Sequence, residues 1–536
     1  MKLMKTMRKF LALAFVGMAF VACSNDDEPG DGGTGNGNEN KEAWVSLGIK
    51  TTGGNTRELH NPSTDNGTAN ETKVNKVRAI FFDASLLVTE DKELTSAQAG
   101  LPAENNSIGG EAFTILPESK HVLIVVNPSS VFPTYPISAS TPYSTVNAAI
   151  TASIDNVIGA SKADFMMTNA VGDLEPFDTS TKKPVALTSY KTAAAAESAP
   201  LRLYVDRVAA KARLYNDHDN ATTSSAFNVD ASSVKWALNV TNKKFFPASK
   251  RTVTANNTSV WSDRYGLGSY RVDPNYDDVA ATQQPDYETA LATYKDNYNY
   301  YAAGDVLTGS VSTSTTSNPL YCLENTQIAK YNFHAYTTHA LVQANVYPKE
   351  FKKPDGTVET GTSDIDWLKI GNGYYIYNTL KEWIKAELEA SKANGDKLLV
   401  SNHANAINSY FEGVATGTGV TWTDADDVDA IMLLFDAKNP ATAGTFGSVT
   451  FHKGGISYYK IMIKHDNDDN KANNLLGEFG IVRNSVYDIH IGNFMSSGYP
   501  TIPEPDPNTP DEEDKDWLSI HIDINPWTWY TQTEDI

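Results

Sequence analysis

Leu518-Ser519-Ile520-His521-Ile522-Asp523-Ile524 alternates aliphatic and polar residues without a break, the period-two pattern of a strand with one buried face. An acidic, proline-rich stretch from Pro503 to Asp516 leads into it and has the composition of a solvated leash that keeps the strand extended and accessible. A strand with a full apolar face does not stay soluble alone. It either folds back onto its own domain or completes the sheet of another molecule. Near the other end, Trp44-Val45-Ser46-Leu47-Gly48-Ile49-Lys50 shows the same alternation over fewer residues. A polar loop follows it, Gly53-Gly54-Asn55-Thr56-Arg57-Glu58. The two ends read as halves of one interface.

At 536 residues the chain is too long for one core, so two or more domains are expected. Thr, Tyr, Val, Asn and Gly are abundant and favour strands and turns. Acidic residues outnumber basic ones by 65 to 44, for a formal charge of −21. Such a surface repels phosphate backbones and argues against a nucleic-acid partner.

Lys2, Lys5, Arg8 and Lys9 form a positive segment ahead of an apolar run from Phe10 to Val21, shorter than a membrane-spanning helix requires. Residues 1–22 therefore read as a signal peptide. Phe20-Val21-Ala22-Cys23 resembles a bacterial lipobox, with Phe20 where Leu is commoner, which makes Cys23 the lipidation site. The competing reading is ordinary secretion with a chance cysteine. Ser24-Asn25-Asp26-Asp27-Glu28 also resembles the acidic export signal of Bacteroidetes surface lipoproteins. A Gly/Asn/Asp/Glu-rich tether follows to about Lys41. The other of the two cysteines, Cys322, then lacks an intramolecular partner and is expected to pack in a core.

Further along, Val77–Asp83, Val122–Val126 and Leu203–Leu214 read as buried strands, and Val234–Val240, His339–Tyr347 and Tyr458–Lys464 as alternating ones. Short strands separated by Pro, Gly, Asn and Ser turns predict β-sandwiches with a few helical insertions. A cluster of Asn, Asp, Thr and Ser over residues 215–231 marks a domain boundary. Thr379-Leu380-Lys381-Glu382 offers a capping box, and Leu380, Trp383, Ile384 and Leu388 recur at helical spacing. The Tyr-rich stretch 261–301 reads as a surface elaboration.

Motifs for catalysis are missing from the sequence: no His-Glu-x-x-His, Gly-x-Ser-x-Gly, Walker loop or Cys-x-x-Cys. His334 and His339 stand five apart, which suits neither a helical face nor one side of a strand. Asp466-Asn467-Asp468-Asp469-Asn470 imitates the start of a calcium loop, but Lys471 and Gly477 occupy the positions that need Gly and Glu. That segment and Asp424–Asp429 read as solvated turns. No enzyme, metal or cofactor is expected.

Six strings in order carry a family resemblance: Val122–Asn127, Phe165–Asn169, Val205–Lys211, Trp236–Lys243, Leu323–Thr326 and Gly480–Asn484. With the lipobox, they make the chain similar to the Bacteroidales type V pilins, the fimbrillins. Trp517 to Ile536, containing Asn525-Pro526-Trp527, most resembles the end of minor-fimbrium shaft fimbrillins of oral anaerobes. The resemblance implies a mainly β fold, two transthyretin-like β-sandwich domains and a C-terminal donor strand. It divides the chain into signal peptide 1–22, lipidated propeptide with the first strand 23–57, N-terminal sandwich 58–215, C-terminal sandwich with insertions 216–502, and linker with donor strand 503–536.

The resemblance further implies export as an outer-membrane lipoprotein and then cleavage by an arginine-specific surface protease. The matching bond is Arg57–Glu58; Arg78 is the next choice, inside a predicted buried strand. Cleavage would remove the strand carrying Trp44, Val45, Leu47 and Ile49. The groove would accept a neighbour's strand carrying Trp517, Leu518, Ile520, Ile522, Ile524, Trp527 and Trp529. Four buried aliphatics at roughly 1.5–3 kcal/mol each favour the longer strand. The expected function is a fimbrial shaft subunit supporting adhesion and biofilm formation. Its expected partners are identical subunits head to tail, anchor and tip subunits, and host or bacterial surface receptors. The alternatives are a fimbrial tip adhesin and a glycan-binding surface lipoprotein, with exposed Tyr and Trp stacking on sugars.

Overall fold

Two strands that are mostly apolar and buried on both faces, Val77–Phe82 and His121–Val126, need cover on either side, and they pair side by side inside a sheet. The computed structural model describes residues 43–51, 65–101, 109–171, 187–221, 225–248, 250–251, 270–276, 296–327, 332–353, 356–393, 443–446, 449–465, 477–506, 509–511 and 518–528. Cys23, Arg57, Glu58, Trp517, Trp529, both acidic turns and most of the Tyr-rich stretch lie outside the described residues. What is described is mainly β, as expected.

Among the described residues, the first sheet runs in the order Leu47–Thr51, Leu201–Arg207, Met167–Val171, His121–Val126, Val77–Phe82, Val88–Leu94. Its core holds Val45, Leu47, Ile49, Phe81, Leu123 and Val125, all at 1% exposure or less. Asn127, at φ 46°, turns the chain out of the sheet, and its side-chain oxygen accepts the backbone N–H of Asn75 at 2.8 Å.

Two further sheets share a second core. One orders Gly309–Ser310, Phe227–Asn239, His339–Pro348, Ile456–Met462; the other orders Leu320–Leu323, Ala209–Asn216, Ser485–Phe494, Leu518–Thr528, Asp65–Asn66. Trp236, Val342 and Ile461 from the first meet Leu214, Tyr487 and Ile489 from the second, the packing of a sandwich. The strand expected over 203–214 is two strands with a break at Val208. Leu201–Arg207 belongs to the first sheet and Ala209–Asn216 to the five-stranded one, so the chain changes sheet at Val208.

The expected helix is present as Tyr377–Ala393, with Leu380 and Ile384 buried and Trp383 half-buried. It begins two residues before Thr379. The N–H of buried Tyr377 donates to the Asp366 carbonyl at 2.9 Å, and that long-range contact places the first turn.

Candidate strand-exchange elements

The first strand lies at the edge of the six-stranded sheet. Leu47–Thr51 runs parallel to Leu201–Val205, and Ala43–Val45 pairs antiparallel with Phe113–Ile115. Alternation puts Val45, Leu47 and Ile49 inward at 0–1% exposure, with Trp44 half-buried. Backbone bonds hold both sides: Trp44 exchanges two with Tyr190 at 2.7 and 2.8 Å, and Leu47 O accepts the N–H of Gly110 at 2.7 Å. The Ser46 hydroxyl, 2% exposed, donates to Gly110 O at 2.6 Å. A Cβ at Gly109 would stand 2.5 Å from that Ser46 oxygen and 2.0 Å from Pro200 Cβ, so the close approach requires glycine.

The C-terminal strand completes its own sheet. It pairs antiparallel with Ser485–Phe494, setting Ile524 opposite Tyr487, Ile522 opposite Ile489 and Ile520 opposite Ile491. Ile522 is 8% exposed and Leu518 packs against the second core, but Ile520 remains 41% exposed. A fully covered apolar face is therefore not what the single chain provides. Trp527 and Thr528 pair with Asp65 and Asn66 in parallel.

The acidic stretch ahead of this strand is docked where it is described, unlike the free leash expected. The carbonyls of Asp506 and Thr509 accept N–H bonds from Ala335 and His334, both at 3.1 Å, and the Asp511 N–H donates to Asn332 O at 3.0 Å. The Asp511 side chain, in a residue 4% exposed, accepts the Thr337 hydroxyl at 2.5 Å. Backbone donors and acceptors override a charged composition here.

A buried ionic cluster joins the segment after residue 64 to the two strands that back the C-terminal one. Lys211 Nζ lies 3.1 Å from Glu71 Oε1 and 3.3 Å from Asp65. Arg213 reaches Asp65 at 2.8 Å and grips Asp488 with two bonds of 2.5 and 2.6 Å. Glu71, 2% exposed, also accepts the Tyr321 hydroxyl and the Thr68 N–H, each at 2.6 Å. Burial pushes its carboxyl up, but Lys211, Tyr321 and Thr68 together hold it below the usual range. Beside it, burial lowers the Arg207 guanidinium to about 10, and its Nε donates to Glu71 O at 3.0 Å. The spaced polar residues of 203–214 were the sequence signal for this cluster, but they did not name Asp65 or Glu71.

Cys322 is buried in the second core, as expected, and burial pushes its thiol up. His339 is buried with Nδ1 3.0 Å from Thr337 O, and His334 Nδ1 lies 3.0 Å from Lys460 Nζ. Among the described residues, no group of three or more His, Cys, Asp or Glu is arranged to hold a metal ion.

A search of curated proteins finds no match. Solved structures similar to the chain include a fimbrilin (FimA) from Porphyromonas gingivalis, 15% identical over 91% of this chain and 98% of that one, with TM-score 0.38. They also include a fimbrial assembly protein from Parabacteroides distasonis, 13% identical over 60% of this chain and 99% of that one, with TM-score 0.24. The tip fimbrial protein Mfa3 of Porphyromonas gingivalis, C-terminally truncated, is 9% identical over 91% and 100%, with TM-score 0.34. Residues 450–533 match the model for the C-terminal part of fimbrillin, the major fimbrial subunit protein type IV family. That span takes in Ile456–Met462, Ser485–Phe494 and the whole C-terminal strand, and over it this chain is similar to the fimbrillin C-terminal family, in line with the sequence resemblance.

Proposed function

We propose that the chain is a shaft subunit of a surface fimbria, exported as an outer-membrane lipoprotein on Cys23 and polymerised head to tail by strand exchange. An arginine-specific surface protease cuts after Arg57 and frees the first strand with its lipid anchor. The neighbour's C-terminal strand then fills the vacated groove. The role is structural, with identical subunits as the main partner, anchor and tip subunits at the filament ends, and surface receptors beyond.

The observation that carries this reading is the first strand. It lies at a sheet edge, so it leaves without breaking into the sheet, and its loss uncovers a core lined until then by Val45, Leu47 and Ile49. Only another strand restores both the backbone bonds and the apolar cover. Ile520 supports the direction of exchange, because burying its remaining 41% would add about 0.6–1.2 kcal/mol that the single chain leaves unused. Arg78 supports Arg57 as the cut: it is 2% exposed, ion-paired with Asp91, and donates to Pro133 O at 2.8 Å. A head-to-tail contact of this kind is heterologous and builds an open filament.

The test treats protein from Ser24 onward with an arginine-specific protease, reads the new N-terminus and looks for filaments by negative-stain electron microscopy. A parallel sample lacks residues 517–536. The reading requires filaments that need both a start at Glu58 and the tail. Cleavage without filaments, or filaments indifferent to the tail, returns the chain to a tip adhesin or a glycan-binding lipoprotein.

A further inference from the structure

Asp65 and Asn66 lie eight and nine residues beyond Arg57, and they pair with Trp527 and Thr528 at the far end of the C-terminal strand. Two residues of ladder do not hold a strand by themselves. What holds them is the ionic cluster: the Asp65 carboxylate sits on Lys211 and Arg213, and six residues later Glu71 is buried against Lys211 and Tyr321. The Thr68–Glu71 turn is closed on itself by reciprocal bonds, Thr68 N–H to Glu71 Oε2 at 2.6 Å and Glu71 N–H to Thr68 Oγ1 at 3.3 Å. The anchors are not remote from the tail. Arg213 holds Asp488, and Asp488 stands opposite Asp523 in the ladder between Ser485–Phe494 and the C-terminal strand.

We propose that Asp65–Glu71 is a latch on the C-terminal strand, holding its far end in cis until the chain is cut between residues 51 and 65. In the intact chain both ends of residues 52–64 are fixed, one by the first strand and one by Asp65. After the cut, Asp65–Asn66 becomes part of a free N-terminal arm that has lost its covalent tie to the first strand, and the ionic cluster alone then holds it against the fraying of a chain end. The same bond scission then opens the acceptor groove and loosens the donor. The other end of the donor stays pinned: from Asp511 to Leu518 the chain spans at most about 25 Å, so a released strand begins no farther than that from Asp511. The latch gives the strand-exchange reading its timing, and it is tested separately from it.

The experiment is hydrogen exchange, read by mass spectrometry on peptides covering 518–528 and 121–126 of the full secreted chain. Its samples are the uncut wild type, the cut wild type, uncut Asp65→Asn and uncut Asp91→Asn; the last breaks a buried pair on a different sheet. A second cut form carries the recognition site of another protease at residues 57–58, so the result does not depend on which enzyme cleaves. Exchange over 518–528 is expected to rise about tenfold in Asp65→Asn and in both cut forms, with 121–126 unchanged. Asp91→Asn should leave 518–528 as protected as in the wild type. Equal exchange over 518–528 in all samples, or a rise shared by both peptides, overturns the latch. Filaments from cut protein whose tail stays protected in uncut Asp65→Asn would sink the latch and keep strand exchange. A loosened tail without filaments would do the reverse.

Discussion

Glu71 shows how much rests on one side chain. Its carboxylate is buried beside Lys211, itself 2% exposed, and Tyr321 and Thr68 take its remaining acceptor capacity. Removing one partner of such a pair leaves charge in a place water does not reach, which costs about 3 kcal/mol or more. Glu71→Gln keeps the shape and removes the charge, so it should destabilise the chain by about that amount at pH 7. The sign of the pH dependence follows from the lowered carboxyl. The contribution is complete above the ordinary value of 4.5 and is lost as pH falls through the folded value. Urea denaturation of wild type and Glu71→Gln should therefore differ strongly at pH 7 and converge in acid. A gap that stays constant down to pH 3 would mean that shape, not charge, holds the turn.

At the scale of the strand, Ile520 and Ile522 share a face but not an environment, at 41% and 8% exposure. Ile520→Ser should cost the monomer only about 1 kcal/mol, the part of its burial that the single chain already makes. It should nevertheless weaken filament growth, because in the proposed strand exchange that side chain would enter the acceptor groove. Thermal melts and filament counts on the same samples check both halves, and a variant that assembles like wild type would show that Ile520 is not part of the joint. The alternation of 518–524 was legible in the sequence because period two is local, and so were Val45, Leu47 and Ile49. Which sheet takes a strand is not local. Leu203–Leu214 reads as one buried strand with polar residues spaced along it, because nothing in its pattern marks Val208 as the crossing between two sheets. The acidic stretch looked like a free leash because its docking uses backbone groups, which composition does not reveal. Asp65 and Glu71 carry no local signal, because the lysine they meet lies 146 and 140 residues away.

Over the whole molecule, the response to acid is set by a few buried groups working against the surface. Burial holds His339 and His452 at about 3, each with a neighbouring lysine adding to the shift, and holds His465 at about 4 with Arg271 adding. Each is neutral in the fold and protonates below its ordinary 6.5 only on unfolding, so each withdraws stability as pH falls from 6.5 toward 4. At pH 5 that is roughly 2 kcal/mol per histidine. Asp273 acts the other way. Burial raises it to about 7, so ionising it in the fold costs stability at neutral pH, and acid relieves that cost by roughly 2 kcal/mol by pH 5. The net charge of −21 also falls toward zero near the pI of about 4.9, which eases repulsion across the surface. Salt separates the two contributions, because 0.5 M sodium chloride screens exposed charges and barely reaches buried ones. In that salt the three histidines outweigh Asp273, and chemical denaturation should show a loss of roughly 3 kcal/mol between pH 7 and pH 5. At low salt the loss should be smaller. A flat profile at high salt would mean that one or more of these imidazoles meets water in the folded chain. Where His452 is one of them, His452→Asn, made where the ring stacks on Trp367 at 3.9 Å, would leave the acid profile unchanged. With the ring dry, the same substitution should remove about two thirds of the loss, because one histidine contributes about 2 of the roughly 3 kcal/mol.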